Sequence, residues 1–217
     1  DEPIIFVQVA LTNGLGKSIQ EITKPRSDGD KKYDTATFYS ISNCQEGLSR
    51  VTLGNFLIKR VVFEIQEELP NIKHFGTLSP IPGFRDWFSY LEDVKIKNIL
   101  GKIPLENISF LKSTDLKVGD PRIVSNKEAI TKLVAHYLMN EKNHKQLPIN
   151  DVCRFHLGNG AIIDDIVINA NVSEVGLNRS FGVMVNYLYE LKNIEKNHEE
   201  YINNKTIIIS DKLKKII

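Results

Sequence analysis

Three short stretches of this sequence pair residue types and spacing in ways that suit chemistry. In Phe155-His156-Leu157-Gly158-Asn159-Gly160-Ala161 a histidine ends an apolar run and is followed by a flexible turn. With an ordinary pKa of about 6.5, an imidazole placed there can hold or release a proton at neutral pH. A hydrogen-bonded structural histidine fits the same residues. In Ser79-Pro80-Ile81-Pro82-Gly83-Phe84 two prolines and a glycine fix the backbone around one serine. The residue before a proline is held extended, so Ser79 is expected at a strand end as a rigid hydroxyl donor, or as part of a plain strand-to-helix turn. The third stretch is the loop Gln45 to Asn55, with Gly47 and Gly54, lying between a strand-like and a helix-like segment. Free backbone N–H groups and the positive end of a helix dipole suit a diphosphate there, although two glycines also serve a simple turn.

Other chemistry finds less support. His74, His136, His144 and His198 show no ligand spacing such as HExxH. Cys44 and Cys153 stand far apart, which suits neither a disulfide framework nor a clustered zinc site and points to a reducing compartment. Cys44 has no neighbouring histidine or basic pair to lower its pKa, so a thiolate nucleophile is not expected.

The elements that must position these residues follow from periodicity. Residues 4–11 and 36–42 read as strands, and 55–69 as an amphipathic helix carrying Ile58, Val61, Val62, Ile65 and Leu69 and stopped by Pro70. A short strand over 72–79 leads into a helix from Phe84 to Leu91. Residues 92–127 lack a clear period and are expected to hold insertions and poor order. Ala129 to Met139 reads as a helix with Ile130, Leu133, Val134, Tyr137 and Leu138 on one face. Strands are expected at 152–157, 161–169 and 181–189, with a polar loop over 171–180. Mixed strands and helices without a strict βαβ repeat indicate an α/β chain of the α+β kind.

Composition narrows the partners. The 217 residues carry 28 Lys+Arg against 27 Asp+Glu, a formal net charge of +1, so the chain as a whole lacks the basic field of a nucleic-acid binder. No apolar run approaches the roughly 18 residues of a membrane span. One domain, or two small ones, is the expectation from length. The start at Asp1 instead of Met leads to the expectation that a further segment precedes it.

Taken together, FYSISNCQEGL (38–48), LGNFLIKRVV (53–62), TLSPIPGF (77–84), FHLGNGA (155–161), MVNYLYEL (184–191) and IEKNHEEY (194–201) resemble the catalytic domain of the malonyl-CoA decarboxylases, in its bacterial form. The motifs run in order nearly from end to end. The resemblance implies that residues 1–217 form one catalytic domain, with a central mixed sheet flanked by helices similar to that of the GCN5-related acetyltransferases. It implies that malonyl-CoA is converted to acetyl-CoA and CO₂ without a metal, biotin or other cofactor. It further implies that Ser49, Arg50, Val51, Thr52, Leu53, Gly54 and Asn55 bind the coenzyme's pyrophosphate arm, that Ser79 touches the malonyl thioester, and that His156 donates the proton. Homo-oligomers form, on this reading, through a helical N-terminal region, in the cytoplasm or mitochondrial matrix; the chain ends Lys-Lys-Ile-Ile, without a peroxisomal Ser-Lys-Leu.

The sequence departs from the family at Ala170 and Asn171, where an aromatic and an acidic residue are usual. Two alternatives stand beside decarboxylation: an acyltransferase of the same fold, and a catalytically silent coenzyme-A-binding module. Asn186, Tyr187 and Tyr189 read as core packing or edge hydrogen bonding, and His198 with Glu199 as a solvated turn or helix cap. Lys59 and Arg60 face either coenzyme phosphates or solvent.

Overall fold

A mixed sheet organises the chain. The computed structural model describes residues 5–24, 33–43 and 54–217. Strand β1 (Ile5–Thr12) runs antiparallel to β2 (Thr35–Asn43), and β2 runs parallel to β3 (His74–Thr77), with Phe38 beside Thr77. Parallel neighbours need a crossover, and helix α2 (Gly54–Glu68) lies in that connection. Its apolar stripe buries Ile58 and Val62, while Leu69 falls beyond the helix and is exposed. After β3 the chain passes Leu78 and enters the two-residue β4 (Ser79–Pro80). Strand β6 (Met184–Leu188) pairs antiparallel with both, through Gly76 with Leu188 and Ser79 with Val185, and on its other side with β5 (Ile162–Val167).

Helices cover the sheet. A short α1 (Ile19–Ile22) follows β1, and α3 (Phe84–Ser89) follows β4. Gly83 turns the chain into α3 at φ +78°, a left-handed conformation that suits glycine, and a Cβ there would sit 2.9 Å from the Tyr137 hydroxyl. Helix α6 (Lys127–Met139) buries Ile130, Leu133, Val134, Tyr137 and Leu138, the face its period predicts. One large apolar cluster joins Phe38, Phe75, Phe84, Leu133 and Tyr187; a smaller one of Leu78, Val167, Ala170 and Met184 packs against Ile19 and Ile22 of α1. Among the described residues no helix is long and apolar enough to cross a membrane.

Three expectations from periodicity are corrected. Residues 92–127 are regular: α4 (Asp93–Leu100), 3₁₀ turns at Leu105–Asn107 and Ser109–Lys112, and α5 (Pro121–Ser125) place Ile96, Leu100, Ile108, Leu111 and Ile123 in the core. Elements this short show too few turns for a period to emerge from sequence. The polar loop over 171–180 contains α8 (Glu174–Ser180), whose N-cap Ser173 accepts a hydrogen bond from Gly176 N–H.

The third correction concerns 152–157, which is not a strand but most of helix α7 (Asp151–Gly158). Its run of Val, Cys, Phe and Leu imitates strand composition, yet Cys153, His156 and Leu157 are its buried residues, the i, i+3, i+4 stripe of a helix. The Asn150 side chain caps it by accepting from Cys153 N–H at 2.8 Å. Helices α9 (Ile194–Asn204) and α10 (Asp211–Lys214) complete the chain.

Candidate active site

Side chains alternate along a strand, so Thr77 and Ser79 point to one face of the sheet. The antiparallel register sets Tyr187 beside Thr77, and Tyr189 N–H donates to Phe75 O, so Tyr187 and Tyr189 share that face. Helix α7 lies over it. The His156 ring stacks on Tyr187 with centroids 4.4 Å apart, Nε2 lies 2.9 Å from Ser79 Oγ, and Nδ1 lies 2.8 Å from the Tyr189 hydroxyl. Ser79 in turn donates to Thr77 Oγ1 at 2.8 Å. Residues 77 positions apart in sequence thus meet in one hydrogen-bonded row.

Several contacts hold the row in place. Pro82 O accepts from both the Tyr137 hydroxyl and Asn150 Nδ2, each at 2.9 Å, which ties the Ser79 turn to α6 and to the cap of α7. On the opposite face of the sheet, Asn186 Nδ2 donates to Thr77 O at 2.8 Å and to Gly16 O at 3.0 Å. At the far end of α7, His198 Nδ1 lies 2.6 Å from Gly158 O and Asn197 Nδ2 donates to Gly160 O at 3.2 Å.

Electrostatically the site is dry. His156 is 4% exposed and Ser79 6%. Burial drives the His156 pKa down to about 3, so the ring is neutral at physiological pH and carries its proton on one nitrogen only. Burial also raises Tyr189 well above the usual phenol range and pushes the Cys153 thiol up to about 12. Both are protonated in the resting site. Cys153, buried with its Sγ donating to Leu138 O at 3.8 Å, is therefore no nucleophile.

Comparison with known proteins settles the family. The model described as "Malonyl-CoA decarboxylase C-terminal domain" matches residues 1–217. The chain belongs to this family. It is 37% identical over 234 residues to "Malonyl-CoA decarboxylase, mitochondrial" of Anser anser anser, covering 98% of this chain and 46% of that protein. To the protein of the same name in Rattus norvegicus it is 37% identical over 239 residues, covering 100% and 48%. The crystal structure of malonyl-CoA decarboxylase from Rhodopseudomonas palustris superposes with a TM-score of 0.88 at 37% identity, over 99% of this chain and 50% of that one. This member of the family thus spans about half the length of the relatives it matches.

The expected site residues fare unequally. Ser79 and His156 are brought together. Ser49, Arg50, Val51, Thr52 and Leu53 lie outside the described residues, as does Cys44, while Gly54 and Asn55 form the first two positions of α2. Arg60 pairs with Glu64 at 3.4 Å, both largely exposed. Asn186 makes the structural hydrogen bonds expected of it. Sequence reasoning passed over Thr77 and, as a site residue, Tyr189. Thr77 stands two residues before the expected site residue Ser79 and so shares its face, whereas Tyr189 becomes readable only once the register of β6 against β3 and β4 is fixed. Among the described residues, no three His, Cys, Asp or Glu side chains come together to hold a metal ion.

Proposed function

We propose that the protein to which this chain belongs decarboxylates malonyl-CoA to acetyl-CoA and CO₂ at the Ser79–His156 pair. The observation that carries the reading is the buried contact of 2.9 Å between these two side chains, inside a family whose relatives bear that name. When the bond to the carboxylate breaks, its electron pair passes into the thioester carbonyl as an enolate. A hydroxyl aimed at that oxygen stabilises the developing charge, and losing one such donor costs about 3 kcal/mol. Ser79 fills this role.

The α-carbon then takes a proton. His156 supplies it across Ser79: the new C–H bond takes the hydroxyl proton, Ser79 recovers one from Nε2, and Nδ1 takes the Tyr189 proton. The imidazole stays neutral throughout, in keeping with its burial, and the tyrosine regains a proton from water once product leaves. The thioester is its own electron sink, so this route draws on no metal, biotin or other prosthetic group.

The coenzyme's diphosphate is assigned to Ser49–Asn55. Helix α2 opens at Gly54 with no acidic residue in its first turn, and the N–H groups of a helix's first turn, which have no carbonyl partner within the helix, together with its dipole favour an anion. The mitochondrial designation of the animal relatives fits one of the two expected compartments. The test is product analysis: the whole protein, given malonyl-CoA alone after dialysis against a chelator, releases CO₂ and acetyl-CoA. Silence until an amine or thiol acceptor is added would overturn the reading in favour of acyl transfer.

A further inference from the structure

The Ser79 hydroxyl has a single proton, and it is directed at Thr77 Oγ1, 2.8 Å away. Thr77 is itself fixed at both ends: its carbonyl accepts from Asn186 Nδ2 at 2.8 Å, and its Oγ1 accepts the Tyr187 backbone N–H at 3.3 Å. All four residues are buried. With the proton of Ser79 committed to Thr77, the contact between Ser79 Oγ and His156 Nε2 holds only if Nε2 is the donor. A neutral imidazole then has a bare Nδ1, which must accept from the Tyr189 hydroxyl 2.8 Å away.

We propose that Thr77 is a positioning residue that sets the direction of the whole row: by accepting the Ser79 proton it fixes His156 in its Nε2–H form. The orientation is the reverse of that in a serine hydrolase, where the serine donates to the histidine and becomes a nucleophile. Here the histidine donates to the serine, which arms the pair to deliver a proton and leaves Ser79 without a base. When substrate is bound, the Ser79 hydroxyl swings from Thr77 to the acyl group while Nε2–H stays in place. The part of this inference that concerns rate rests on the decarboxylase reading; the part that concerns the tautomer does not.

Thr77→Val and Thr77→Ser in the whole protein separate the possibilities. Valine keeps the β-branched shape and removes the acceptor; serine keeps the acceptor. With ¹⁵N-labelled histidine, the resonance of His156 Nε2 is expected to be that of a protonated nitrogen in the wild type and in Thr77→Ser. In Thr77→Val the Ser79 proton turns to Nε2, and the protonated nitrogen becomes Nδ1. In the same variant kcat for CO₂ release is expected to fall roughly 10²-fold with KM within about twofold, and Thr77→Ser to restore most of it. A Thr77→Val protein that unfolds is replaced by Thr77→Ala, for which the same tautomer change is expected. Retention of Nε2–H in a folded variant lacking the hydroxyl, or an unprotonated Nε2 in the wild type, overturns the proposal. A wild type that shows Nε2–H, with the switch in Thr77→Val, but releases no CO₂ would instead sink the decarboxylase reading and leave the role of Thr77 standing.

Discussion

The Tyr189 hydroxyl meets His156 Nδ1 at 2.8 Å, on the side of the ring away from Ser79. The histidine is therefore gripped through both nitrogens, and neither can change its proton without the other responding. In Tyr189→Phe the Nδ1 acceptor is left buried and unpaired, which costs about 1 to 3 kcal/mol. Denaturant unfolding is expected to show that loss, together with a fall of roughly tenfold or more in kcat at nearly constant KM. Unchanged kcat would reduce the tyrosine to packing.

On the proposed mechanism, replacing the imidazole removes the proton path. His156→Ala is expected to lower kcat by roughly 10²- to 10⁴-fold while KM moves only a few-fold, because the ring's contribution is realised as charge develops. Steady-state CO₂ release measures both constants. Losses concentrated in KM would mean that the residue only anchors substrate.

The depressed pKa of His156 has a thermodynamic consequence. Its folded value of about 3 lies below the roughly 6.5 of an exposed histidine, so the unfolded chain binds the extra proton first. The neutral ring favours the fold fully above about pH 6.5, and that contribution, on the order of 5 kcal/mol, is lost as pH falls toward 3. Unfolding free energies measured across this window are expected to fall less steeply in His156→Gln than in wild type. Parallel slopes would place the titration elsewhere. The neutral ring also predicts a kcat with no histidine limb between about pH 5 and 8.

Among the described glycines, Gly160 makes the closest approach to neighbouring backbone. It adopts φ +79°, and a Cβ there would lie 2.1 Å from Ile194 O, at the start of α9. Gly160→Ala is expected to destabilise the protein by more than about 2 kcal/mol, through both the clash and the left-handed conformation. Thermal unfolding at matched buffer checks this, and a change below about 0.5 kcal/mol would contradict the close approach.

Long apolar periods were legible from the sequence: α2 and α6 appear where five apolar residues recur at helical spacing, and β1, β2 and β5 where β-branched residues crowd together. The short helices α4, α5 and α8 were not, because one or two turns give too few repeats to separate from noise. Helix α7 misled for a different reason. Its Val, Cys and Phe favour a strand, and the cap at Asn150 with the packing of Cys153, His156 and Leu157 overrides that preference.

The site divides along the same line. By itself the sequence determined which groups can act: a serine fixed between constrained backbone residues, a histidine before a glycine turn, and the family to which their motifs belong. It could not determine that both nitrogens of the ring are engaged, nor that Thr77 and Tyr189 complete the row. Those contacts depend on the register of β6 against β3 and β4 and on the seating of α7 over that face. Register and seating are set by burial summed across the whole core, a long-range property that no local run of residues encodes.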